Sequence, residues 1–268
     1  MPPLKTIRHF TAANPGYMTL EGTNQYLLGK NEITVIDVAL PSRENIDGIL
    51  KQAEARGGKI EKILLTHIHR DHSGGALALK KRSGAKLGIC RLRAGYLGGE
   101  DFTYGDGDEI PYDGGKLKVV HTPGHESGHC CFYEPELKAL LTGDHILGRG
   151  TTVIPPPVGD MVEYIQSLEK LLGLEIQRLL PGHGPAIHDP YGKIKEYIDH
   201  RIMREQEVLT LLGEGRDTIP SIAARIYAEV SAPLRSAGEL SVEAHLIKLI
   251  AERRVKREGE RYLLTVRG

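Results

Sequence analysis

Short apolar runs bounded by polar or glycine-bearing turns dominate the first two-thirds of the chain. Tyr26-Leu27-Leu28-Gly29 and Ile33-Thr34-Val35-Ile36-Asp37 read as paired strands around Lys30-Asn31-Glu32. Ile46, Ile49, Leu50 and Ala53 then recur at helical spacing until Gly57-Gly58 stops the helix. Ile63-Leu64-Leu65 is a continuous apolar run, as a buried strand requires, and the chain turns helical again from Leu77 to Arg82. Val119-Val120, Cys130-Cys131, Leu140-Leu141 and Leu179-Leu180 predict further strands. Pro155-Pro156-Pro157 predicts a stiff extended connector. Beyond it, Met161, Tyr164, Ile165, Leu168, Leu171 and Leu172 form the stripe of an amphipathic core helix.

The pattern changes after His188-Asp189-Pro190. Apolar positions from Tyr191 to Leu212 suggest one long helix. Thr218, with Pro220 in the first turn, caps a second, and Ser241 is placed to cap a third that carries Leu246, Leu249 and Ile250. Val255 to Arg257 and Tyr262 to Val266 flank Glu258-Gly259-Glu260 as a hairpin. Three helices and a hairpin resemble a winged-helix domain over residues 191–268, following a first domain over 1–190.

The chemistry lies where strands end. Thr66-His67-Ile68-His69-Arg70-Asp71-His72 places four potential ligands within six residues. A helix would separate His67 from His69 and a strand would separate Asp71 from His72, so a loop is expected. His125, Asp144 and His183 each follow an apolar run and sit at a glycine-containing turn. Glycine there lets backbone approach a metal closely. Neutral imidazoles and carboxylates are the donors that Zn²⁺ takes at catalytic centres, so these seven residues are expected to form one metal site. His121, His129 and His145 are neighbours that would serve equally as supporting groups or as ordinary polar residues. His9, His188, His200 and His245 receive no role. Asp37, at the end of its strand, is placed either to orient a ligand histidine or to cap a helix.

His-x-His-x-Asp-His, then His, Asp and Pro-Gly-His, closely resembles the metallo-β-lactamase fold superfamily. The resemblance implies an αββα sandwich of two mixed sheets with helices outside, and two zinc ions per chain, with manganese or iron as alternatives. It assigns His67, His69 and His125 to one ion and Asp71, His72 and His183 to the other, with Asp144 between them. Such a pair supplies hydroxide at neutral pH, and Asp71 is the expected group to take up its proton.

Composition limits the partners. The 35 basic and 35 acidic residues leave no overall field toward nucleic acid or membrane. No apolar run is long enough to cross a bilayer. Cys90, Cys130 and Cys131 are odd in number, two are adjacent, and all three read as buried free thiols of a reducing compartment. The first ten residues show no export signal, so a cytoplasmic enzyme is expected, and not an exported antibiotic-degrading lactamase.

Pro-Gly-His-Gly-Pro, then His200-Arg201-Ile202-Met203-Arg204-Glu205-Gln206, then the winged-helix-like tail, resemble the β-lactamase-like protein 2 branch of that superfamily. The branch implies an endoribonuclease acting on single-stranded RNA. Only 38 residues separate Asp144 from His183, too few for the inserted domain of some RNA-processing relatives. From His245 onward, Lys248, Arg253, Arg254, Lys256, Arg257, Arg261 and Arg267 oppose Glu252, Glu258 and Glu260, a modest positive face. Against RNA, the chain has no tryptophan and only three phenylalanines for base stacking. The alternative substrate is a small thioester, as in glyoxalase II relatives with the same ligand positions, although their helical C-terminal domain differs from a hairpin-ended tail. A nucleic-acid-binding regulator with a decayed metal site is a third reading, and the complete ligand set argues against it. The tail is alternatively a homodimer surface or the rim of the cleft.

Overall fold

The computed structural model describes residues 7–229, 231 and 234–265. Its first sheet runs in the order β1 (Ile7–Thr11), β2 (Asn24–Leu28), β3 (Glu32–Ile36), β4 (Lys59–Leu64), β5 (Lys86–Cys90) and β6 (Phe102–Tyr104). The second runs β11 (Arg178–Pro181), β10 (Ala139–Gly143), β9 (Cys130–Glu134), β8 (Gly115–His121) and β7 (Glu109–Tyr112). Helices α1 (Arg43–Glu54), α2 (Arg70–Ser73) and α3 (Ala76–Ser83) connect strands of the first sheet.

Alternation along the strands explains the layers. Tyr26, Leu28, Ile36, Leu64 and Tyr104 of the first sheet pack with Leu117, Val119, Phe132, Leu141 and Leu180 of the second. Their neighbours Leu27, Val35 and Ile63 point the other way, against Ile46 and Ile49 of α1 and Leu79 of α3. Successive strand residues face opposite sides, so a run that is apolar throughout is one covered on both faces. The three cysteines are buried and none is in a disulfide among the described residues.

Strand direction sets the position of the chemistry. β3 and β4 are parallel, and so are β10 and β11, so each pair brings two carboxyl ends together. Backbone bonds stitch these ends to one edge of the sandwich. Asn24 N–H donates to Gly182 O at 2.7 Å, and Cys130 N–H donates to Thr66 O at 2.8 Å. Asp37, His67, Asp144 and His183 all begin where these strands stop.

By contacts the chain forms two compact units. One comprises residues 1–122, 128–151 and 174–191, and the other 123–127, 152–173 and 192–268. The second contains α4 (Met161–Leu171), most of α5 (Pro190–Gly213), α6 (Ile219–Ile226), α7 (Arg235–Ala251), β12 (Val255–Glu258) and β13 (Arg261–Leu264). Val208, Leu212, Ile222, Val242, Leu246, Leu249, Val255 and Tyr262 form its core, so three helices and a hairpin do pack as one body. Thr218 caps α6 as the sequence predicts, accepting from Ser221 N–H, with Pro in the first turn.

Three expectations require correction or restriction. Ser241 is no cap, because α7 starts at Arg235 and Ser241 lies buried inside it. Gly238 explains the earlier start: it lies flush on the Tyr227 ring, where a Cβ would come within 2.6 Å of Cδ2. The triple proline is a turn and not an extended rod, closed by Gly159 N–H donating to Pro155 O at 2.8 Å. The end of the predicted hairpin, Val266, lies outside the described residues. Among the described residues no helix is long and apolar enough to cross a membrane.

Candidate metal centre

β4 runs into Thr66, and the next six residues do not stay a loop throughout. His67 and Ile68 are irregular, His69 caps α2, and Asp71 and His72 sit within that single turn. Ser73 closes it, its Oγ donating to Ile68 O at 2.8 Å. The spacing of His67 and His69 excludes a helix through that pair and does not reach the four residues after them.

Asp37 settles as an orienting group. It is buried, with φ at +62°. Its Oδ1 accepts Thr66 N–H at 2.7 Å, and its Oδ2 accepts Thr66 Oγ1–H at 2.8 Å and lies 2.8 Å from His72 Nδ1. The α1 cap belongs instead to Ser42, which accepts from Asn45 N–H. A carboxylate against Nδ1 keeps the proton on that nitrogen and turns the Nε2 lone pair inward.

Inward of His72 is a four-residue cluster. Asp71, His72, Asp144 and His183 each offer one donor atom, all within 4.8 Å of one another. His72 Nε2 lies 3.2 Å from Asp144 Oδ1 and 3.2 Å from His183 Nε2. His183 Nε2 lies 3.3 Å from both Asp71 Oδ2 and Asp144 Oδ1. His183 is oriented as His72 is, with Nδ1 3.2 Å from the Gly22 carbonyl. Burial opposes charge on all four. Even so, Asp144 and Asp37 lift His72 well above the usual imidazole range, and Asp144 lifts His183 to about 9. The two imidazoles in turn hold Asp144 well below the usual carboxylate range, and Asp71 is lowered also.

His67 and His69 make the second feature within the same unit. His67 Nε2 and His69 Nδ1 stand 3.0 Å apart, and His67 Nδ1 is 3.0 Å from Thr66 Oγ1. Two ring nitrogens at that distance must share a proton or a cation. His125 sits in the 123–127 segment of the second unit, its Nδ1 2.8 Å from the Val153 carbonyl. Four rings thus follow one rule: Nδ1 is engaged by an oxygen of the protein and Nε2 is left as the donor. This arrangement and the mixed imidazole–carboxylate set fit a zinc pair.

The remaining histidines divide. His129 is buried, with Nδ1 2.8 Å from Thr122 Oγ1 and its ring 5.1 Å from that of His67. His145 is buried with its ring 5.9 Å from that of His129. His121 ends β8, where its N–H donates to Asp106. His245 is fully buried in the second unit, held neutral near 3 by burial and by the nearby cation of Arg201. The carbonyls of Gly22 and Val153 engage His183 and His125 yet left no mark in the sequence, because any residue carries a carbonyl.

Two predictions arise from this geometry. A Cβ on Gly182 would stand 2.6 Å from His72 Cε1 and 2.9 Å from Asp144 Oδ1. Gly182→Ala is therefore expected to lower metal content and hydrolysis while leaving the secondary structure intact, checked by metal analysis and circular dichroism. The second concerns the metal-stripped protein. A histidine raised from about 6.5 to about 9 stabilises the fold fully below pH 6.5 and loses that contribution as pH rises through 9. Melting temperature of the stripped protein should fall between pH 6.5 and 9.5. Metal-loaded protein should not show this fall, because its imidazoles are already neutral.

Comparison with known proteins gives the family. Residues 18–183 match the metallo-β-lactamase superfamily, and residues 218–262 match the β-lactamase associated winged helix domain. A β-lactamase-like protein 2 homolog of Caenorhabditis elegans is 37% identical over 243 residues, covering 88% of this chain and 81% of that protein. An atrochrysone carboxyl ACP thioesterase of Aspergillus chevalieri is 31% identical, covering 95% of this chain and 86% of that protein. A metallo-β-lactamase family protein of Thermus thermophilus superposes with a TM-score of 0.82 at 23% identity, over 98% of this chain and 99% of that one. With its two-sheet sandwich, its C-terminal winged helix and this ligand pattern, the chain belongs to the metallo-β-lactamase superfamily of hydrolases.

Proposed function

We propose that the chain is a dinuclear zinc hydrolase whose substrate is a thioester. The carrying observation is the shared orientation of His67, His72, His125 and His183, each with Nδ1 engaged and Nε2 presented. By the superfamily's pattern His67, His69 and His125 would hold one ion and Asp71, His72 and His183 the other, with Asp144 assigned to both; Asp71, His72, Asp144 and His183 form one donor cluster. Bound there, the pair would supply Lewis acidity and a water whose pKa is brought near 7. Asp37 fixes the tautomer of His72. Asp71, whose side chain is 31% exposed and stays a carboxylate at neutral pH, takes up the proton of the attacking water and returns it to the departing thiolate.

The substrate reading rests on charge and on kinship. Lys248 pairs with Glu205 and Glu252, Arg254 with Glu205, Lys256 with Glu258 and Arg261 with Asp217. Glu205 and Asp217 lie outside the window that made the tail look positive, and with them four of its seven cations, Lys248, Arg254, Lys256 and Arg261, are paired, while Arg253 has no ion pair among the described residues. Arg257 instead stacks over Tyr262, and Arg267 lies outside the described residues. The Aspergillus relative is named a thioesterase. Single-stranded RNA is the second reading, favoured by the identity with the β-lactamase-like protein 2 homolog, whose branch the His200–Gln206 stretch resembles. Incubating zinc-loaded protein in parallel with an acyl thioester and with single-stranded RNA separates them. Thioester turnover with intact RNA is expected, and RNA cleavage alone would reverse the assignment.

A further inference from the structure

The His200–Gln206 stretch is not consumed by the metal site, and its members take different directions. Glu205 accepts from Lys248 at 2.5 Å and from Arg254 at 2.6 Å, tying α5 to the end of α7 and to the residue before β12. Arg204 pairs with Glu207 at 2.7 Å and stacks on Tyr227. Both serve the helical body. Arg201 does not. It is 2% exposed, the largest of the fully buried side chains, and no ion pair to it occurs among the described residues. Its Nη2 donates to the Thr152 carbonyl at 2.6 Å, and its guanidinium lies 5.0 Å over the Tyr164 ring. A buried guanidinium without a carboxylate is costly, so a structural role alone would favour an apolar residue.

The two things that Arg201 grips both support the His125 turn. Thr152 precedes Val153, whose carbonyl engages His125 Nδ1 at 2.8 Å. Tyr164 is the floor beneath Gly124, where a Cβ would stand 2.3 Å from Tyr164 Cα. The turn is also fixed on α4, by Asp160 N–H donating to Gly124 O and Ser167 Oγ donating to Pro123 O, each at 2.8 Å. We infer that Arg201 is a positioning residue for His125: it holds the 152–153 backbone and the Tyr164 ring in the places that aim His125 Nε2. This rests on the reading of His125 as a ligand of the first ion.

The test measures metal binding. Stripped wild type, His125→Ala, Arg201→Met and Arg201→Lys are titrated with Zn²⁺ and then with Co²⁺, whose absorption reports ligand geometry, and melting is followed for each. Wild type is expected to take two ions, and His125→Ala to lose one. Arg201→Met should keep one ion tightly and bind the other about 10–100-fold more weakly, the range seen when an orienting partner of a ligand is removed. Arg201→Lys should recover part of that loss, because an ammonium reaches the Thr152 carbonyl and lacks the planar stack. If His125→Ala still binds two ions as wild type does, the ligand reading fails first. If His125→Ala loses an ion while Arg201→Met binds both like wild type, the inference about Arg201 alone is overturned. Should Arg201→Met not fold, Arg201→Lys decides: unchanged affinity for both ions with an unchanged Co²⁺ spectrum refutes it.

Discussion

Replacing Asp144 by alanine is expected to lower hydrolysis by about three orders of magnitude, since metal-based stabilisation of a transition state is worth several kcal/mol. Asp144 Oδ1 lies 3.2 Å from His72 Nε2 and 3.3 Å from His183 Nε2, whereas Asp71 Oδ2 reaches the same two atoms at 3.8 and 3.3 Å, so Asp144 is the nearer anion to His72. Without it the pocket retains one carboxylate, Asp71, on its more exposed side. The histidines then lose the largest of the charges that raised them, while Asp37 and Asp71 remain, so in the stripped variant the fall in melting temperature between pH 6.5 and 9.5 should become smaller. Activity, metal content and the pH dependence of melting should move together. A variant with normal metal content and hydrolysis would remove Asp144 from the site.

Asp37→Asn is expected to produce the second largest effect, from a group that touches neither substrate nor metal. Asparagine tolerates the positive φ at this position, so the backbone has no reason to shift. The amide oxygen can still accept Thr66 N–H. The amide nitrogen then meets His72 Nδ1 as a donor, which moves the imidazole proton to Nε2 and points it at Asp144. A ring in that tautomer offers no lone pair to the pocket. Loss of metal affinity by about 10–100-fold is expected, with hydrolysis falling in step. Asp37→Ala should additionally destabilise the fold by about 3 kcal/mol or more, because Thr66 and His72 lose a buried charged partner. Comparing the two separates tautomer control from stability, and a variant Asn enzyme with wild-type zinc affinity would refute the orienting role.

Much of this was readable in the sequence because the pattern is local. Apolar runs ending in histidine or aspartate mark the strands and the edge at which they stop, and the candidate ligands are legible by residue type. What the sequence could not express was orientation. Asp37 was ambiguous because a carboxylate after a strand serves a cap or a histidine equally well, and only its 2.8 Å approach to His72 Nδ1 decides. Ser241 was misread because a serine before an apolar stripe looks like a helix start, whereas packing of Gly238 on Tyr227 carries α7 further back. The modest positive face of the tail is reduced for a related reason. Glu205 and Asp217 are distant in sequence from the basic residues that they neutralise. Arg201 stood in a recognised stretch, yet no local pattern shows that a guanidinium points inward at a carbonyl.

The His–Asp architecture has meaning only if it grips metal. Chelator-stripped protein titrated with Zn²⁺, with bound ion counted by elemental analysis and hydrolysis followed in the same samples, tests this directly. Two ions per chain, with hydrolysis returning as they bind and neither effect in Asp144→Ala, is the predicted result. Folded protein that retains no zinc, or that hydrolyses equally well after stripping, would contradict it.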